Sequence, residues 1–326
     1  MTIDPELVAA LAAMPKAANG SLMDLTDIPA LREVMRAGLA LRPEQVRDPR
    51  VAVETLPVAR PDGTTLDIVL FRPVDLEGPL PALAYFHAGG QVLGTAHDDI
   101  AYPAALALAI RGVVAVVDYR LAPETPAPGA AEDGYLAYTH LAGHASELRI
   151  DPGRIGLAGA SGGGAVAAAT ALMIRDRGAA RPCLLSLNYA MLDDRNATPS
   201  SHQITDVGIW DRRENLLAWQ AVLGDRAGGP DVHPYCAPGR ATDLGGLPET
   251  FVAAAQHDVF RDENVDFASR LMAAGVPVDL RVYAHAFHAW DFFAPESRLA
   301  REFEATWHDF LVRRLHRSTA RRREEG

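Results

Sequence analysis

Six short and nearly uninterrupted apolar runs constrain this chain more than any other feature: Leu80–Phe86, Val113–Val117, Ile155–Ala158, Cys183–Leu187, Phe251–Ala255 and Val278–Val282. A strand with one face in water alternates apolar and polar residues, whereas an unbroken run marks a strand covered on both faces. Between most of the runs lie patterns of helical period, at 100–111, 129–141, 163–177 and 263–274. Strand and helix in alternation predict an α/β fold, a mostly parallel central sheet flanked by helices. Ahead of them, Val51–Val58 and Leu66–Phe71 alternate like half-buried strands around Pro61-Asp62-Gly63, and two short helices are expected at 4–14 and 27–40.

One interval breaks the rhythm. Residues 193–246 separate two strands with far more chain than a crossover helix needs, and hold one clear helix, Arg213–Leu223. Ligands of open α/β sheets bind beyond the C-terminal ends of the strands. The insertion, with residues 1–45, is therefore expected to form a helical cap on a single domain spanning 1–326.

The bulk properties narrow the partners. A content of 48% hydrophobic and 22% charged residues fits a soluble globular protein. A formal net charge of -11 argues against nucleic acid and against an anionic membrane as the main partner. The basic run Arg313–Arg323 reads as a frayed, solvated helix end. Cys183 and Cys236 are far apart, match no metal spacing and exclude a disulfide scaffold. No signal peptide is expected in residues 1–20 and no apolar run is long enough to cross a bilayer, so a cytoplasmic location is expected.

Chemistry concentrates at Gly159-Ala160-Ser161-Gly162-Gly163, a G-x-S-x-G pattern between a short apolar strand and a small-residue helix. Such a turn holds a serine hydroxyl clear of the sheet. A serine hydroxyl is a poor nucleophile without a base, a carboxylate to orient that base, and donors for the developing oxyanion. For the base, His288 lies just beyond the last strand; His257, His285 and His308 are the other downstream imidazoles, His308 reading as a surface residue and His257 as facing away. For the acid, Asp258 follows the strand Phe251–Ala255; Asp262 and Glu263 are alternatives, adequately explained as acids at a helix start. For the oxyanion, His87-Ala88-Gly89-Gly90 follows the strand Leu80–Phe86 and exposes backbone N–H groups, with that of Gly162 completing the set. His87 itself reads as a structural histidine pinning its loop. His285 and His288 lack the third ligand or carboxylate cluster that a metal site requires.

Taken in order, these residues resemble the bacterial hormone-sensitive-lipase family of α/β-hydrolases, the family IV esterases. His87-Ala88-Gly89-Gly90 is close to the family's H-G-G-G, and Asp118 to Glu124 reproduce its D-Y-R-L-A-P-E. Asp258-Val259-Phe260-Arg261-Asp262-Glu263 is similar to its D-P-L-R-D-E, and Tyr283–Trp290 to its closing histidine loop. The resemblance implies Ser161 as nucleophile, Asp258 as acid, His288 as base, and the amides of Gly89, Gly90 and Gly162 as the oxyanion hole. It implies a cap, no cofactor and, as is often found in the family, dimerisation through the edge of the last strand; no metal is expected. The departures are Ala160 and Gly162 where the family's elbow has Asp and Ala, Ala88 where glycine is usual, and Ala289-Trp290 in place of Gly-Phe.

The expected activity is hydrolysis of a small to medium carboxylic ester through an acyl-enzyme, by a serine carboxylesterase. Trp210, Trp219 and Trp290 are candidate linings of its substrate pocket, with cap-core packing as their alternative role. The same site would serve a lactonase, an acyltransferase, or a dehydratase or lyase. A non-catalytic binder of small molecules is the remaining reading, weakened by the presence of His288.

Overall fold

The computed structural model describes residues 2–14, 16, 21–40, 48–207 and 209–317. Its strands are β1 (Val51–Ala59), β2 (Thr65–Pro73), β3 (Leu80–Phe86), β4 (Val113–Val117), β5 (Ile150–Ala160), β6 (Leu185–Asn188), β7 (Thr250–His257) and β8 (Val278–Phe287). They form one eight-stranded sheet in the order β1-β2-β4-β3-β5-β6-β7-β8. Pairings from β4 to β8 are all parallel, while β2 is antiparallel to both β1 and β4. The helices are α1 (Pro5–Ala13), α2 (Ile28–Ala40), α3 (Ala101–Ile110), α4 (Gly129–Gly143), α5 (Gly162–Asp176), α6 (Pro199–Gln203), α7 (Arg212–Leu223), α8 (Arg261–Ala273), α9 (Trp290–Phe293) and α10 (Arg298–Leu315).

Side chains alternate across a strand, so each buried strand feeds two cores. Phe71, Leu83, Tyr85, Val114 and Val116 face one core, closed by α3 and α10. Leu70, Ala82, Ala84, Val113 and Ala115 face the other, closed by α4, α5 and α8. Helix α10 shows why such a segment is helical. The Ser297 side chain accepts the Ala300 N–H at its start, and Phe303, Trp307, Phe310 and Leu311 recur on one face and are fully buried. Each large side chain so buried contributes about 1.5–3 kcal/mol. Trp307 also finds a polar partner in the core, its Nε1–H donating to Ser186 Oγ at 2.7 Å.

Two readings of the sequence need correction here. Val278–Val282 was expected to be covered on both faces, yet β8 is an edge strand that pairs only with β7 among the described residues, and Val282 is exposed. The polar residues Asp279 and Arg281 within that run were the sign of an edge. Glu263 is no simple helix-start acid either. It is buried and accepts the Leu192 N–H at 2.6 Å, pinning the chain beyond β6, and burial raises its pKa well above the usual range.

No helix among the described residues is long and apolar enough to cross a membrane. Residues 1, 15, 17–20, 41–45 and 208 of the expected cap and 318–323 of the basic run lie outside the described residues.

Candidate active site

Strand β5 ends at Ala160 and α5 begins at Gly162, which leaves Ser161 alone on the turn at φ 53° and ψ -122°. A non-glycine residue in this region stores on the order of 1–3 kcal/mol of strain and persists only where its surroundings dictate it. Here they do. The Ser161 N–H donates to the Asn188 carbonyl at 2.9 Å, and the Ser161 carbonyl accepts the Met191 N–H at 3.0 Å. A Cβ on Gly163 would collide with the carbonyl oxygens of Phe86 and His87, so the helix can approach the sheet this closely only with glycine there.

The neighbouring strand ends bring the other expected groups to the serine. Asp258 follows β7 and His288 follows β8. Ser161 Oγ donates to His288 Nε2 at 2.9 Å, and His288 Nδ1 donates to Asp258 Oδ2 at 2.8 Å. The second oxygen of Asp258 accepts the Phe260 N–H at 3.0 Å. A carboxylate can only accept, so Asp258 fixes the proton on Nδ1 and turns the Nε2 lone pair towards the hydroxyl. All three side chains are buried. The other histidines are engaged elsewhere. His257 Nε2 and His285 Nδ1 both meet the Thr2 carbonyl, at 3.1 and 2.7 Å. His308, read as a surface residue, is half-buried on α10.

The loop after β3 lies directly over the turn. A Cβ on Gly162 would stand 2.5 Å from the Gln91 nitrogen and 2.6 Å from that of Gly90. The space is closed to even one methyl group, which accounts for glycine at 162. As the first residue of α5, Gly162 has no intrahelical acceptor for its N–H. Among the described residues, the N–H groups of Gly89 and Gly90 likewise donate to no protein acceptor. The Gly90 nitrogen thus lies close against Gly162 at the turn that carries Ser161, and Gly89 lines the same cavity as Ser161.

The D-Y-R-L-A-P-E segment braces that loop. Tyr119 OH donates to the His87 carbonyl at 2.7 Å, and the Ala122 N–H donates to the Gln91 carbonyl at 2.9 Å. His87 stacks on the Tyr119 ring at 4.2 Å, and burial lowers its pKa. Arg120 and Arg60 converge on the carboxylate of Asp133, at 2.9 and 2.8 Å. From α2, Arg32 donates to the carbonyls of Val92 and Ala122 and pairs with Glu124.

A cavity of about 420 Å³ opens on Ser161 and His288. Met23 and Met35 from the N-terminal segment, and Ile209 and Trp210 from the 193–246 interval, line it together with the sheet residues Tyr85 and Val116. Trp210 therefore lies where a lining was expected. Trp290 does not: it is fully buried away from the cavity, against Tyr189, Tyr283 and Phe303. The cause is local, because Ala289 takes a left-handed conformation (φ 57°) that turns the next side chain into the core. Trp219 is likewise buried, within α7.

Sequence reasoning missed Tyr189 and Asp291. The Tyr189 ring stands edge-on to His288 at 5.2 Å, and its hydroxyl donates to Asp291 Oδ2 at 3.1 Å. Asp291 also lines the cavity, and burial raises its pKa to about 6. A charged residue set among Trp290, Phe292 and Phe293 was the available signal.

The chain is similar to known proteins along most of its length. A family description for the alpha/beta hydrolase fold matches residues 83–292. Carboxylesterase NlhH of Mycobacterium tuberculosis is 34% identical over 82% of this chain and 84% of its own. Esterase LipI of the same organism is 32% identical over 90% and 89%. Among solved structures, a bacterial heroin esterase superposes with a TM-score of 0.90 at 36% identity, covering 97% of this chain and 99% of that one. The resemblance read from the motifs holds: the chain belongs to the α/β-hydrolase family, in its hormone-sensitive-lipase-like branch of carboxylic-ester hydrolases.

Proposed function

We propose that Ser161, His288 and Asp258 carry out ester hydrolysis through an acyl-enzyme on a small to medium carboxylic ester. His288 Nε2 takes the Ser161 proton as Oγ attacks the carbonyl carbon. The negative charge that develops on the carbonyl oxygen is met by the N–H groups of Gly89, Gly90 and Gly162. Collapse of the tetrahedral intermediate expels the alcohol, which leaves with the proton held by His288. Water, deprotonated by the same imidazole, then cleaves the acyl-enzyme and restores Ser161. Asp258 keeps Nδ1 protonated and stabilises the imidazolium at each stage.

The observation that carries this reading is the hydrogen-bonded chain from Ser161 Oγ through His288 to Asp258, opening on a cavity beside three free amides. We read the residues from the N-terminal segment and the 193–246 interval that line the cavity as a cap. Pairing of two copies along the open edge of β8 belongs to the same proposal. The test is the hydrolysis of p-nitrophenyl acetate and butyrate with fluorophosphonate labelling. Wild type should turn over both esters and be labelled on Ser161, and Ser161→Ala should do neither. Unchanged turnover by the alanine variant would overturn the assignment.

A further inference from the structure

The cavity is mainly apolar, yet its charged lining has one sign. Asp98, Asp99, Asp291 and Glu304 line it, and no Lys or Arg does so among the described residues. Two of the four acids have local roles. Asp98 accepts the Thr95 N–H and hydroxyl, and Asp99 accepts the N–H groups of Ala101 and Tyr102 at the start of α3.

Asp291, in the first turn of α9, is more deeply set. It is only 8% exposed, its Oδ2 takes the Tyr189 hydroxyl, and its Oδ1 meets no donor among the described residues. A buried carboxylate oxygen left without a partner is costly. Burial, and after it the Glu304 carboxylate, raise the proton affinity of Asp291; the Tyr189 hydroxyl and the backbone N–H groups of Asp291 and Phe292 offset this in part, and no Lys or Arg among the described residues lines the cavity beside it. Tyr85 and Tyr102, with ring centroids 6.0 Å apart, add two aromatic side chains to the same cavity. Carboxylates beside aromatic rings suit an ammonium group, which donates hydrogen bonds to the first and lies over the faces of the second.

We propose that the part of the cavity bounded by Asp291, Glu304, Tyr85 and Tyr102 is a subsite for a protonated amine, and that the enzyme favours esters bearing an ammonium group. The proposal rests on the ester-hydrolase reading and specifies its substrate class. Tyr189 connects the two centres, its ring against His288 and its hydroxyl on Asp291. A bound ammonium therefore lies about one aromatic ring from the imidazole. Ester and amine must belong to one compact molecule to occupy both.

Benzylammonium and its neutral counterpart benzyl alcohol provide the test, as competitive inhibitors of p-nitrophenyl acetate hydrolysis near pH 7.5 and as calorimetric ligands of the Ser161→Ala protein. Wild type should bind benzylammonium about tenfold or more tighter than benzyl alcohol, the size of one charge-assisted hydrogen bond. Asp291→Asn should bring the ratio of the two constants close to one. Comparing the two ligands within each variant removes any change in basal turnover. Equal binding by wild type, or a preference that survives in Asp291→Asn, would overturn the subsite. Calorimetry reads it without turnover, so benzylammonium binding to the Ser161→Ala protein together with a wild type that fails to cleave the acetate would refute the hydrolytic reading alone.

Discussion

The indole of Trp210 rests on the backbone of Gly90: a Cβ there would stand 2.7 Å from Trp210 Cζ2 and nearer still to Cη2. One contact thus joins a residue of the 193–246 interval to the loop that carries two of the three free amides. Gly90 also sits at φ +61°, in the left-handed region.

Gly90→Ala should therefore lower kcat/KM on p-nitrophenyl acetate by about 10²-fold or more, the scale of one lost oxyanion donor. Adding Trp210→Ala should restore part of the loss, because the collision disappears while the backbone strain remains. A double-mutant cycle with no coupling between the two positions would contradict the contact.

Asp258→Asn keeps the size of the side chain but can present an N–H₂ group to His288 Nδ1. That favours the tautomer with its proton on Nε2, where no lone pair remains for Ser161. In the proposed reaction kcat should fall by about 10⁴-fold with little change in thermal stability. Near-normal turnover would show that Asp258 does not orient the base.

Asp133 is almost fully buried and takes the guanidinium groups of both Arg60 and Arg120. Asp133→Ala leaves the buried Arg60 without a counter-charge, and removal of one partner from a buried pair costs about 3–5 kcal/mol. Urea denaturation should show a loss of that size. A loss under about 1 kcal/mol would mean that the network is not a principal brace of the loop.

Asp291 adds a pH dependence that requires no substrate. Its pKa rises from 3.8 to about 6 on folding, so the folded state binds the proton more tightly than the unfolded state. The carboxyl costs nothing below about pH 4, costs progressively more as pH rises towards 6, and above 6 destabilises the fold by up to about 3 kcal/mol. Asp291→Asn still offers an acceptor to Tyr189 and removes this cost. Its unfolding free energy relative to wild type should therefore increase from pH 4 to pH 7. A flat difference over that window would show that Asp291 is not held in the way described.

Much of this was legible in the sequence because it is local. An unbroken run such as Val113–Val117 states its own burial, and the turn at Ser161 is set by glycines within a few positions. Asp258 and His288 were accessible because both sit at strand ends along one edge of a parallel sheet. The subsite around Asp291 was not, since Tyr85, Tyr189, Asp291 and Glu304 come from four separate segments that only the packed sheet and α10 bring together. Trp290 was misjudged for a related reason. Its composition suits a pocket wall, and only the left-handed turn at Ala289 sends it into the core. The edge position of β8 was recoverable in principle, from Asp279 and Arg281 alternating with apolar neighbours.

The backbone of Ser161 is tied on both sides to the segment leaving β6, through the Asn188 carbonyl and the Met191 N–H. The Ser161 turn is consequently a fixture of the scaffold and does not depend on which molecule fills the cavity. In the proposed reading, the part of 193–246 that does not pack on the Gly90 loop can diverge and alter which compounds are admitted, while the turn at Ser161 beneath it stays in place.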